Sequence, residues 1–226
     1  MTVRDRFAEK GVRFHLTEAA FEMRSLAIKA VLFDWDGVFN DGYKDAEGGS
    51  PFSEVDSMGV NLLRFALWLR HDEKLPKAAI ITGQHNAFAQ RFAEREHFHA
   101  VYMGYTNKPE AFDAFLSAHG LKAEEVAFFF DDVLDLPVAQ RCGLRILMGH
   151  AATHHFQHHV EEGGHADITI PTGGGQHGLR HACELLIASW GDWERVVDHR
   201  VRFDLVYQRY LADRNAIKTA AQRNTR

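Results

Sequence analysis

Cysteine is nearly absent from this chain. Of 226 residues only Cys142 and Cys183 carry a thiol, at a separation that fits neither a disulfide framework nor a zinc site. A surplus of positive charge is missing too. The 26 Lys and Arg stand against 31 Asp and Glu, a net charge of −5, which argues against a general nucleic-acid footprint. No uninterrupted apolar run approaches the roughly 20 residues of a membrane span. The opening MTVRDRFAEK is charged and holds no apolar signal core. A cytoplasmic, reducing location is the expectation. No internal repeat is visible. What is present is ordinary for a globular protein: 46% hydrophobic and 25% charged residues, in a length suited to one α/β domain with decorations.

Short apolar runs alternate with amphipathic segments, the pattern of a parallel sheet covered on both faces. Strands are expected over residues 30–33, 77–82, 100–103, 126–130, 145–148 and 167–170. Helices are expected over 59–70, 83–94 and 109–119, and from the Gly173-Gly174-Gly175 run to residue 188. The polar, glycine-rich stretch 40–56 reads as a hairpin or flap. Residues 1–28 form a helical extension before a core of residues 29–190. Residues 191–226 read as an amphipathic helix with a basic, frayed end.

The chemistry is concentrated at strand ends. The run Ala30-Val31-Leu32-Phe33 ends in Asp34-Trp35-Asp36-Gly37. Two carboxylates one residue apart at the end of a buried strand repel each other and lose hydration unless a cation sits between them. Their oxygens are hard ligands suited to Mg²⁺, and a carboxylate held by a metal can attack phosphorus. Asp and Gly are also common turn residues, so the motif alone is equally a turn. Thr82-Gly83 follows a second strand, where a hydroxyl and backbone N–H groups entering a helix make a phosphate clamp or an ordinary helix cap. Lys108 in Asn107-Lys108-Pro109 places a cation at a helix start, which the helix dipole disfavours unless an anion is near. Phe128-Phe129-Phe130 ends in Asp131-Asp132, with Asp135 one helical turn later. In an open α/β sheet these strand ends converge on one edge. In residues 150–159, the pairs His154/His158 and His155/His159 have helical spacing for a metal; a solvated helix face is the alternative.

Asp34-x-Asp36, Thr82, Lys108 and Asp131-Asp132 resemble, in order and spacing, the four motifs of the haloacid dehalogenase (HAD) phosphotransferase superfamily, over about residues 29–190. The segments 36–42, 52–59, 81–83, 107–108 and 174–180 look like the capless branch that dephosphorylates Kdo 8-phosphate and nonulosonate 9-phosphate. The resemblance implies a Rossmann-like three-layer HAD core with a parallel sheet, no large cap domain and a small flap hairpin. It implies an Mg²⁺-dependent phosphomonoester hydrolase working through an aspartyl-phosphate on a phosphorylated sugar acid. Asp34 is then the nucleophile and Asp36 the acid and base; Thr82, Gly83 and Lys108 bind phosphate. Asp34, the Asp36 carbonyl and Asp131 hold Mg²⁺. Asp132 and Asp135 orient metal waters or Lys108, and Asp56, Ser57 and Arg180 are candidate substrate contacts. A homo-oligomer, a tetramer by family habit, is also implied, with the flap and the glycine tail 173–180 closing a neighbour's site; no nucleic acid or membrane partner is expected. Several positions depart from the branch: Phe130 replaces the usual Gly and is expected to crowd the metal edge, Val55 replaces Arg, Ser57 replaces Gly, and His177 and His181 replace Gly and Glu. Two alternatives stay open: the same chemistry on another small phosphorylated metabolite, or a weakly active HAD-fold oligomerisation module.

Overall fold

The apolar runs become strands because both faces of each are covered. A computed structural model describes residues 1–224. In it β1 (Arg13–Phe14), β2 (Ala30–Phe33), β3 (Lys77–Thr82), β4 (Ala100–Met103), β5 (Val126–Phe130), β6 (Leu144–Met148), β7 (Ile168–Ile170) and β8 (Ala220–Arg223) form one sheet. Its order is β1-β7-β6-β5-β2-β3-β4-β8. The pairing is parallel throughout except for β1, which runs antiparallel to β7. The helices are α1 (Val3–Ala8), α2 (Glu18–Ala27), α3 (Glu54–Arg70), α4 (Ala87–Arg95), α5 (Lys108–His119), α6 (Leu136–Ala139), α7 (His154–Glu162), α8 (Gly178–Ser189), α9 (Trp193–Arg202) and α10 (Leu205–Asn215).

Strand alternation divides the core into two layers. Val31, Phe33, Ile80, Phe129 and Ile146 pack with Leu63 and Leu67 of α3, Phe92 of α4 and Leu186 of α8. Ala30, Leu32, Ile81, Phe128 and Phe130 pack on the other face with Phe112 and Phe115 of α5 and Val160 of α7. The result is a three-layer α/β core without a large cap domain. From β2 the chain builds β3 and β4 on one side, then returns to place β5 on the other. The crevice between the carboxyl ends of β2 and β5 is therefore a topological switch point, where such sheets bind ligands.

Several boundaries differ from the sequence reading. Helix α3 starts at Glu54, capped by Ser53 Oγ, which accepts from Val55 N at 3.0 Å. The preceding stretch has no paired strands. It is a loop whose turn closes by Asp45 N donating to Gly49 O at 2.8 Å, while Asp45 Oδ1 accepts from the Glu47 and Gly49 N–H groups. Helix α4 starts at Ala87 rather than at Gly83, because Asn86 Oδ1 accepts from Phe88 N and Ala89 N.

Both flanks add strands to the sheet edges, β1 from residues before the core and β8 after it. The C-terminal helix expected as one is two. It breaks at Phe203, whose φ is +47°, and restarts where Asp204 Oδ1 accepts from Val206 N and Tyr207 N. Tyr207 Oη donates to Asn61 Oδ1 at 2.9 Å and Tyr210 Oη to Asn61 O at 3.2 Å, tying α10 to α3. The frayed end expected here runs into Thr225 and Arg226, which lie outside the described residues.

Candidate active site

The β2 strand delivers Asp34 to the crevice, with its N–H donated to Phe129 O of β5 at 3.0 Å. Lys108, the first residue of α5, arrives from the β4 side. Its Nζ lies 2.5 Å from Asp34 Oδ1 and 2.5 Å from Asp135 Oδ1. All three are buried: Lys108 is 4% exposed, Asp34 5% and Asp135 0%. A lysine at the disfavoured end of a helix dipole is thus explained by two carboxylates. Asp131 follows β5, and its N–H and that of Asp132 donate to Asp135 Oδ2 at 3.4 and 3.3 Å. Asp132 Oδ1 accepts from Val133 N at 2.7 Å, starting a short 3₁₀ turn.

Asp34, Asp131 and Asp135 each bring a carboxylate oxygen within 4.8 Å of the others. Burial, then Asp135, push the Asp34 carboxyl up to about 7, with Lys108 pulling the other way. Burial, then Asp34 and Asp135, push Asp131 up to about 10. Burial opposes the Lys108 ammonium, yet Asp135 and Asp34 hold it above its ordinary range. With all three acids ionised, they would carry two more negative charges than the one ammonium offsets, which is the charge of one divalent ion. Asp131 Oδ1 is buried without a hydrogen-bond partner, although buried carboxylate oxygens are normally satisfied. Gly37, at φ +87°, leaves the room this needs: a Cβ there would meet Asp131 Oδ2 at 1.8 Å. An all-oxygen donor set fits a hard divalent cation.

The Asp36 carboxylate is not part of this trio; the ligand expected from Asp36 is its backbone carbonyl. Its Oδ1 accepts from Ser50 Oγ at 2.7 Å and its Oδ2 pairs with Lys44 Nζ at 2.5 Å. Thr82 is buried at the end of β3, with Oγ1 accepting from Gln84 N at 3.3 Å, and nothing crowds Gly83. Because Asn86 caps α4 further on, any clamp on an anion here is built from the Thr82–Gly83 loop and not from a helix start.

The candidate substrate contacts each have partners within the chain. Asp56 is fully buried and accepts from Arg180 N at 3.0 Å and from His177 Nδ1 at 3.2 Å. Burial raises its carboxyl above the ordinary range, against those two bonds. Ser57 Oγ donates to Ser53 O at 2.7 Å and accepts from Arg95, while the Arg180 guanidinium pairs with Glu184 at 2.5 Å. The Asp56 contacts join the starts of α3 and α8, Ser57–Arg95 ties α3 to the end of α4, and Arg180–Glu184 lies within α8. In the glycine tail, Gly174 N donates to Gly37 O at 2.9 Å. Among the described residues the histidines of α7 belong to no group of three convergent metal-ligand residues. Lys44 and Ser50 were missed in the sequence. The available signal was a lone lysine in an otherwise acidic loop.

No family model matches the chain. The 3-deoxy-D-manno-octulosonate 8-phosphate phosphatase KdsC of Escherichia coli (strain K12) is 27% identical to it over 168 residues, 73% of this chain and 81% of the relative. Among solved structures, the probable YrbI family phosphatase of Pseudomonas syringae pv. phaseolica is 30% identical, with a TM-score of 0.65 over 82% of this chain and 98% of that one. The chain belongs to the YrbI family of HAD-superfamily phosphatases. The 3-deoxy-D-manno-octulosonate 8-phosphate phosphatase of Moraxella catarrhalis, solved in complex with a magnesium ion, a phosphate ion and a KDO molecule, shares the fold at 22% identity, with a TM-score of 0.64 over 84% of this chain and 100% of that one.

Phe130, expected to crowd the metal edge, ends β5 directly before Asp131. It is fully buried and stacks on Phe128 at 5.8 Å in the α5-side core, the layer that also holds Ala30 and Leu32 of β2.

Proposed function

We propose that this phosphatase is Mg²⁺-dependent, acts through an aspartyl-phosphate on Asp34, and hydrolyses a phosphorylated sugar acid. The observation that carries the reading is the buried Asp34–Lys108–Asp135 assembly with Asp131 alongside, short of two positive charges at the switch point. Asp34 attacks phosphorus in line as the leaving alcohol departs. Asp36 gives the proton to that alcohol and later takes one from the water that hydrolyses the aspartyl-phosphate. The Lys108 ammonium and the Thr82 hydroxyl, with the Gly83 N–H, neutralise and hold the phosphoryl oxygens. Asp34, Asp131 and the Asp36 carbonyl would hold Mg²⁺, which supplies charge neutralisation and a fixed orientation for the phosphoryl group. Asp135 keeps Lys108 charged and in place. The sugar-acid class is supported by the named activity of the E. coli relative and by the ligands named for the Moraxella structure. An oligomerisation module without turnover gives no reason for so much buried charge.

Release of inorganic phosphate from sugar-acid phosphates, with Mg²⁺ or with chelator, tests the reading. Asp34→Asn is expected to abolish turnover and keep the fold by circular dichroism. Turnover near the wild-type rate in that variant would refute the nucleophile.

A further inference from the structure

The two carboxylates of the Asp34-Trp35-Asp36 motif have separate cations. Lys108 is committed to Asp34 and Asp135. Asp36 instead receives Lys44, delivered by the loop between β2 and α3. Lys44 has a nearer acid in sequence, Asp45, but Asp45 Oδ1 is occupied by the turn N–H groups of Glu47 and Gly49. Lys44 also donates to Ser50 Oγ at 3.0 Å, and Ser50 Oγ donates to Asp36 Oδ1 at 2.7 Å. Lys44, Ser50 and Asp36 thus close a ring that holds both oxygens of one carboxylate. The ring rests on a buried base. Ser50 is fully buried, its carbonyl accepts from Trp35 Nε1 at 3.1 Å, and Trp35 is itself buried against Phe39 at 4.6 Å.

We infer that Lys44 and Ser50 are positioning residues that hold Asp36 as the oriented base for hydrolysis of the phosphorylated Asp34. The inference rests on the assignment of Asp36 proposed above. In this half-reaction the water oxygen bonds to phosphorus as the bond from phosphorus to the Asp34 oxygen breaks. A water proton passes to Asp36, and Asp34 is released as a carboxylate with inorganic phosphate. A base must be fixed in orientation when the water attacks, and misplacement by about 1 Å can cost about 100-fold. An ion pair on one oxygen and a hydroxyl on the other supply that orientation.

The test uses p-nitrophenyl phosphate at saturating Mg²⁺, because its leaving group departs without a proton. The ratio kcat/KM then reports transfer to Asp34, and kcat reports hydrolysis. Lys44→Met keeps the aliphatic stem at a partly exposed position. It is expected to lower kcat roughly tenfold, within the span of general-base effects. KM should fall in parallel, kcat/KM should change less than about threefold, and rapid mixing should show a burst of one nitrophenolate per active site. Asp36→Asn is the reference and should show the same split, larger. If Asp36→Asn shows the split and Lys44→Met does not, the positioning role is overturned and the base assignment stands. If Asp36→Asn shows no split, the base assignment falls and the inference with it. An equal fall of kcat and kcat/KM in Lys44→Met, with a lowered melting temperature, marks a structural role and also overturns it.

Discussion

Replacing Lys108 with Met tests the electrostatics of the site most directly. The substitution conserves the apolar stem and removes the ammonium shared by Asp34 and Asp135. With all three groups at most 5% exposed, water cannot take over the cation's work. Removing one partner of a buried pair costs about 3–5 kcal/mol. For a chain of this size each kcal/mol lowers the melting temperature by about 2–4 °C, so a fall of about 6–20 °C is expected near pH 8. The loss should depend on pH. Asp34 already sits at about 7 in the fold, above the ordinary carboxyl value of about 4. Between those values the folded state binds more protons than the unfolded one, so this group's contribution to stability falls as pH rises. The Lys108 ammonium is held above its ordinary range, so its own contribution is intact from pH 5 to pH 8. Deleting it should therefore hurt more at pH 8 than at pH 5, where the carboxyls can take up protons. Thermal melts of both proteins at the two pH values, with and without Mg²⁺, read this out. The reasoning fails if the loss is equal at both pH values, or if it is below about 3 °C at pH 8.

Two further outcomes follow from the same geometry. Binding Mg²⁺ must displace the proton that burial and like charge keep on Asp131, which is pushed up to about 10. Affinity measured by calorimetry should thus rise from pH 6 to pH 8, by up to about tenfold per unit for each proton released; a pH-independent affinity would contradict the proton count. Gly37→Ala combines a left-handed φ of +87° with a Cβ at 1.8 Å from Asp131 Oδ2. The backbone alone costs about 1–2 kcal/mol, and displacement of the carboxylate should raise the Mg²⁺ concentration for half-maximal activity by about tenfold; unchanged metal dependence would mean that Asp131 is not a ligand.

The legibility of this protein in its sequence follows the range of the interactions concerned. Strands β2, β3, β4 and β5 could be read residue by residue, because a strand buried on both faces needs an unbroken apolar run. The acids at the ends of β2 and β5 were legible for a related reason: charge directly after such a run is costly, and so it is conspicuous. Lys108 stood out as a cation at the wrong end of a helix. Helix starts fixed by local capping were misjudged by a few residues, at Ser53 and Asn86, since the polar residues around them offered competing caps. The flap was read as a hairpin although its turn closes through the Asp45 side chain without strand pairing.

Contacts between distant segments were the ones that stayed hidden. Nothing near Asp56 announces that Arg180 N and His177 will occupy its oxygens. Nothing in residues 216–224 resembles a buried strand, because β8 is exposed and held by backbone pairing to β4. Likewise only the structure shows that the Phe130 ring stacks on Phe128 in the α5-side core layer. The sequence alone determined which segments are buried and which carboxylates must find a cation, since both depend on the composition of a few neighbouring residues. Only the tertiary structure decided which cation each carboxylate receives, Lys108 for Asp34 and Lys44 for Asp36. That choice is made by distances across the switch point, and the order of residues along the chain does not encode those distances locally.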